Sequence, residues 1–156
     1  MDSITAAALS INDPIVRMAG ELLDSEAFFV GMLIALILLG EGRNQKRKKI
    51  AVSVALAILC GYAVKWALAV ERPCAGESWC PEGYSFPSLH ATAAFALMIG
   101  FLNKKIFPAL LLFALFTAFT RMNLGVHTFA DIAAALPIAV ISYYATDLGE
   151  HYGKRD

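Results

Sequence analysis

The sequence predicts an all-α membrane protein, a transmembrane bundle of about five spanning helices preceded by an amphipathic surface helix. Three observations carry this. Hydrophobic residues make up 58% of the 156 residues and mean hydropathy is +0.61, more than a soluble domain of this size carries. The apolar residues are gathered into runs long enough to cross a bilayer. Basic residues crowd alternate connections between those runs, as they do on the cytoplasmic side of a membrane protein. The length suits one domain over residues 1–156. Thirteen basic and thirteen acidic residues balance, so nothing points to nucleic acid as a partner. Met1-Asp2-Ser3 offers no basic start, so a cleaved signal peptide is not expected.

Residues 1–13 are weakly patterned and end in Asn12-Asp13-Pro14. Asp13 is a good N-cap and Pro14 suits the first helical position. Ile15, Met18, Ala19, Leu22 and Leu23 then form one stripe opposite Arg17, Glu21 and Asp24. That pattern predicts an amphipathic helix on the membrane surface, or a leading turn of the first span. The spans follow at about Leu22 or Ala27 to Gly40, Ile50 to Val70, Leu89 to Leu102, Ile106 to Thr120 and Ala130 to Thr146. Pro108 falls in a first turn, where it is harmless, whereas Pro137 should bend the fifth helix.

Arg43, Lys46, Arg47, Lys48 and Lys49 fill the first connection, Lys104 and Lys105 the third, and Lys154 and Arg155 the C-terminus. Five spans put all three groups on the cytoplasmic side. The second and fourth connections then face outwards. Cys74 and Cys80 lie in the second. On an oxidising face they can close a small loop; the alternative is two free thiols, and the bridge is preferred. Cys60, in an apolar helix, is read as packing.

The residues that do not belong in lipid share the outer side. Lys65 interrupts the second span, and Arg72 is expected two turns later on the same helix face. His90 falls in the first turn of the third helix, after Ser85-Phe86-Pro87-Ser88. Free amides and the positive dipole end make such a start an anion site. Arg121 ends the fourth span. His127 and Asp131 are four apart, a spacing that on a helix brings Cβ atoms roughly 6 Å from one another. Aspartate can then hold one imidazole nitrogen and leave the other free to attack. One such residue at a helix end is commonplace. Lys65, Arg72, Ser88, His90, Arg121, His127 and Asp131 together imply a single site.

That assembly suits phosphoryl transfer, in which catalysis rests on neutralising oxygens and aligning a nucleophile. Three cations and a helix N-terminus offset the phosphate charge. His127, oriented by Asp131, would attack phosphorus, and His90 would give a proton to the leaving oxygen and later take one from water. No carboxylate cluster on this face offers to hold magnesium, so neither metal nor cofactor is expected.

At these residues the chain resembles the type 2 phosphatidic acid phosphatases of membranes. Their motifs are Lys-x6-Arg-Pro, Pro-Ser-Gly-His and Ser-Arg-x5-His-x3-Asp. Here stand Lys65 with Arg72-Pro73, then Pro87-Ser88-Leu89-His90, then Thr120-Arg121 with His127 and Asp131, in the same order and spacing. The resemblance implies a phosphohistidine at His127, acid-base work by His90, phosphate binding by Lys65, Arg72, Ser88 and Arg121, and metal independence. Leu89 replaces the motif glycine and Thr120 replaces serine. The chain is also one helix short of the family's usual six, for which the surface helix would substitute. The expected substrate is a membrane lipid phosphate, with an isoprenyl pyrophosphate preferred over phosphatidic acid or phosphatidylglycerol phosphate. The same site could pass its phosphoryl group to an acceptor other than water. A transporter using Lys65 and Asp131 as buried charges is the reading from another class. Nothing in the sequence speaks to oligomeric state.

Overall fold

The structure, a computed structural model, describes residues 1–152, with side chains as far as residue 149. Lys154 and Arg155, which the topology argument used, lie outside the described residues. Seven α-helices follow one another: α1 Ser3–Ser10, α2 Pro14–Asp24, α3 Glu26–Gly40, α4 Asn44–Leu68, α5 Leu89–Gly100, α6 Phe107–Asn123 and α7 Phe129–Tyr152. The described residues contain no strand.

The centre of the bundle is α5, packed against α3, α4, α6 and α7. Ala91, Ala93, Ala94 and Ala96 are buried along it. Such small side chains let neighbouring backbones approach closely, which is how helices associate where lipid removes the hydrophobic drive between them. The outward faces are apolar: Leu39, Leu59, Leu112 and Ile141, on α3, α4, α6 and α7, are all exposed. An apolar surface of that extent suits contact with lipid tails rather than water.

The expected five spans are not all present by length. Only α4 and α7 are each long and apolar enough to cross a membrane among the described residues; α2 and α3 pass together but are bent by 85° at their junction. By length and composition alone two helices qualify, or three if the bent pair is one span. The 12 residues of α5 rise about 18 Å, well short of a hydrocarbon core of about 30 Å. Because α5 is enclosed by other helices, its ends need not meet lipid.

One end of the bundle is basic and the other carries the candidate site. At the basic end Glu41 accepts from Arg43 N–H at 3.1 Å and lies 2.7 Å from Lys104 Nζ. The Lys104 contact and the Arg43 amide hold this carboxyl down at about 2. Arg47 donates to Leu38 O at 2.6 Å and to Glu41 O, covering carbonyls that the end of α3 leaves open. Lys49 pairs with Asp147, tying α4 to α7.

At the other end the sequence reading is corrected in one element. Residues 1–13 include a helix, α1, started by Asp2, whose carboxylate accepts from Thr5 N–H at 2.8 Å and from the Thr5 hydroxyl at 2.6 Å. The weak pattern hid it because α1 packs along α6 with only Thr5 and Ala8 buried. The start of α2 is as expected: Asp13 accepts from Ile15 and Val16 N–H, with Pro14 following.

Candidate active site

The site is built where the ends of α2, α4 and α6 meet the starts of α3, α5 and α7. They line a cleft of 510 Å³ whose wall includes Lys65, Arg72, His90, Arg121 and His127. Phe29, Val30, Leu33, Ile58 and Trp66 line the same cleft, giving it an apolar flank beside a cationic floor.

The His127–Asp131 pair forms, though not as two residues on one helix face. His127 precedes α7, in a turn that passes through Gly125 at φ +72°. What joins the pair is a reciprocal cap. Thr128 Oγ1 accepts from Asp131 N–H at 3.3 Å, and Asp131 Oδ2 accepts from Thr128 N–H at 2.7 Å. This is the Ser/Thr-x-x-acid capping box, here with aspartate in the acid position. The box holds the carboxylate at the mouth of α7, where Oδ2 lies 3.3 Å from His127 Nδ1. Ser85 Oγ donates to the same Oδ2 and stands 3.4 Å from Nδ1. With an ionised acceptor beside it, Nδ1 carries the imidazole hydrogen, and Nε2 keeps its lone pair. Arg72 Nη1 is 3.5 Å from that Nε2.

Burial is the main force on His127. It pulls the imidazole down to about 4, helped by the Arg121 and Arg72 guanidinium groups and opposed by Asp131. The ring is therefore neutral near pH 7, the form in which nitrogen can attack.

Lys65 and Arg72 reach the cleft by different routes. Helix α4 ends at Leu68, and Ala69 caps it in the left-handed conformation at φ 48°. Arg72 is thus carried by the following turn, not by a further stretch of helix as the spacing suggested. Its Nη1 donates to Val126 O at 3.2 Å, bracing the His127 turn. Lys65 Nζ donates to Tyr84 O at 2.7 Å and Ser85 O at 2.9 Å. It thereby pins the segment that presents Ser85 to Asp131.

Ser88 does not line the cleft. It is fully buried, its hydroxyl accepts from Ala91 N–H as the α5 cap, and its amide donates to Asp131 O at 3.1 Å. It locks the start of α5 to α7, which sets His90 on the cleft wall against Phe29, with ring centroids 4.6 Å apart. Leu89 occupies its motif glycine's position by filling space that Gly61 leaves on α4: a Cβ at 61 would sit 2.7 Å from Leu89 Cδ2. Thr120 turns its hydroxyl inwards to Thr117 O and packs beneath Gly20 of α2.

Two groups escaped the sequence reading. Ser85 lies 46 residues from Asp131, and a serine in the run that leads into α5 gives no warning of that contact. Asp24, read as part of the polar face of α2, lies 2.6 Å from Arg121 Nη1. The Thr128-x-x-Asp131 spacing is the one local signal for the cap, since it marks a helix start. In Cys74 and Cys80 the loop after α4 carries a disulfide, with Cα atoms 5.5 Å apart.

Two histidines and three basic side chains around one cleft, at the end of a helix bundle with candidate membrane spans, define the class: a helical membrane protein with a cationic cleft. Residues 46–148 match the PAP2 superfamily, and the chain belongs to it. Over 59 residues it is 42% identical to the undecaprenyl-diphosphatase BcrC of Bacillus subtilis (strain 168), a match covering 36% of this chain and 31% of that protein. The chain thus matches about a third of that relative's length. Its fold is similar to the crystal structure of Aquifex aeolicus LpxE, at 21% identity, 92% coverage of both chains and a TM-score of 0.74. It is also similar to a transmembrane PAP2-type phosphatidylglycerolphosphate phosphatase from Bacillus subtilis, at 15% identity, 96% coverage of this chain, 84% of that one and a TM-score of 0.72.

Proposed function

We propose that this protein is a single-domain membrane lipid phosphatase that hydrolyses a lipid phosphate or isoprenyl pyrophosphate through a phosphohistidine on His127. The observation that carries the reading is the His127 ring, with Nδ1 beside Asp131 and Nε2 open to the cationic cleft. In the first step Nε2 attacks phosphorus, the bond from phosphorus to the leaving oxygen breaks, and protonated His90 gives that oxygen its proton. In the second, His90 takes a proton from water, the water oxygen attacks phosphorus, and the N–P bond breaks to release phosphate. Lys65, Arg72 and Arg121 neutralise the phosphoryl oxygens in both steps, and Ser88 serves by fixing the α5 start. No step is routed through a metal ion, since side-chain cations supply the charge.

The apolar flank of the cleft suits lipid tails. An isoprenyl pyrophosphate is the preferred substrate, supported by the local identity to an undecaprenyl-diphosphatase. The topology that fits has five membrane-crossing segments, with the α4 start and the α5–α6 connection in the cytoplasm and the cleft opening on the outer face. That places the enzyme in the cell membrane.

Phosphate release from purified isoprenyl pyrophosphates, phosphatidic acid and phosphatidylglycerol phosphate tests the reading, with His127→Ala as the blank. Wild-type turnover should exceed the blank by at least roughly a thousandfold on the preferred lipid. Release that persists in the blank would remove His127 as nucleophile, and substrate consumption only when a second acceptor is added, with the phosphoryl group found on that acceptor and not as free phosphate, would make the protein a phosphotransferase.

A further inference from the structure

Arg121 is buried in the cleft wall, its side chain 3% exposed, and the nearest anion is Asp24, whose side chain is 41% exposed. The contact is close but loosely made. Nη1 lies 2.6 Å from Asp24 Oδ1, yet among the described residues neither Nη1 nor Nε has an aligned hydrogen-bond partner. A buried guanidinium with no counter-charge would be costly. Asp24, for its part, is the last residue of α2, with Ser25, the N-cap of α3, directly after it, and the chain turns by 85° there. The buried guanidinium is therefore poorly placed without the carboxylate, whereas the carboxylate is partly in water and can part from it.

We propose that Asp24 is the resident counter-ion of the phosphate site: its carboxylate neutralises Arg121 in the empty cleft and yields that guanidinium to the phosphoryl group when substrate binds. This rests on the phosphatase reading and adds a residue that sets affinity. A phosphoryl group brings more charge than a carboxylate and offers several oxygens to the guanidinium N–H groups, which favour a two-point grip. Asp24 can swing into water at little cost because it is already partly there. After hydrolysis the exchange reverses: Asp24 returns to Arg121 and helps inorganic phosphate to leave. The residue is thus a competitor built into the site, and it sets how tightly any anion is held. Substrates whose phosphoryl group carries the higher charge displace it more readily, so it also weights the choice among lipid headgroups.

The test is inorganic phosphate itself, read in two ways on the detergent-solubilised full chain. The first is product inhibition of lipid phosphate hydrolysis. The second is the phosphate-dependent rise in melting temperature, which requires no turnover. Asp24→Asn keeps the side-chain shape and removes the charge. It should lower the Ki for phosphate, and the phosphate concentration giving half the thermal shift, by roughly tenfold, with a fall in KM and no rise in kcat. Asp24→Glu keeps the charge on a longer arm and should stay within roughly threefold of wild type. Unchanged or weakened phosphate binding in Asp24→Asn would overturn the proposal; weakening would mean that Asp24 holds Arg121 in place for substrate. Should Asp24→Asn fail to fold, Asp24→Ser replaces it: tighter phosphate binding supports the proposal, and unchanged or weaker binding overturns it. A wild type that releases phosphate from no lipid would instead defeat the phosphatase reading, while the thermal shifts would still judge Asp24.

Discussion

Asp131 does two jobs with one oxygen. Its Oδ2 receives Thr128 N–H, Ser85 Oγ–H and the edge of His127, so the group that starts α7 also orients the imidazole. Asparagine could keep part of the cap but offers a neutral carbonyl, or an amide donor, where Nδ1–H needs an anion. Asp131→Asn should therefore lower kcat by roughly 10²- to 10⁴-fold with little change in KM, as steady-state hydrolysis would measure; a loss confined to KM would deny the orienting role. His127 itself makes a pH prediction. Its ring titrates near 4 in the folded protein, against an ordinary value of 6.5. Between those values the unfolded chain binds the proton that the folded one refuses, so stability falls as pH is lowered through that window and is complete above it. Melting temperatures from pH 7 to pH 4 should show this fall, and His127→Gln should shallow it. An identical profile in the variant would mean that the ring is not buried neutral.

At the scale of elements, the site depends on how closely α5 meets α4. Gly61 leaves room for Leu89, and a Cβ there would lie 2.7 Å from Leu89 Cδ2. The first motif position that departs from the family pattern is thus compensated by a small residue on the facing helix. Gly61→Ala should cost about 1–3 kcal/mol through overpacking, read by thermal unfolding in detergent. In a Leu89→Ala background the same change should cost less, because the clash is gone. Equal costs in both backgrounds would show that the two positions do not compete for space. The N-terminal elements act on the same region from outside. Thr5 Oγ1 accepts from Phe129 N–H at 2.8 Å, and Asn123 donates to Ala8 O and Ile11 O, both at 2.8 Å. Helix α1 therefore straps the corner that carries His127.

For the whole molecule, charge is segregated by end. Glu41, Lys104 and the Lys49–Asp147 pair sit at one end of the helices, whereas Lys65, Arg72 and Arg121 surround the cleft at the other. If the positive-inside rule sets the orientation, a cysteine replacing Glu77, in the loop before the cleft, should react with a membrane-impermeant maleimide on intact cells. One replacing Lys105 should react only after the membrane is opened. Reversed accessibility would turn the active site to the cytoplasm. Helix length at this scale also separates an apolar run from a full-length span. Hydropathy reports how apolar a run is, not whether its neighbours are lipid or protein, and α5 is apolar because it is enclosed by other helices.

Much of this protein is decided locally and can be read along the chain. Helix starts at Asp13-Pro14 and Ser88, the polar residues set into apolar runs, and the spacing of Lys65, Arg72, His90, Arg121, His127 and Asp131 all depend on near neighbours in sequence. The tertiary structure alone decided the rest. It brought Ser85 to Asp131, laid Asp24 against Arg121 and gave Leu89 the space above Gly61. Those contacts join residues tens of positions apart, and their energies depend on shape and burial that no local pattern encodes.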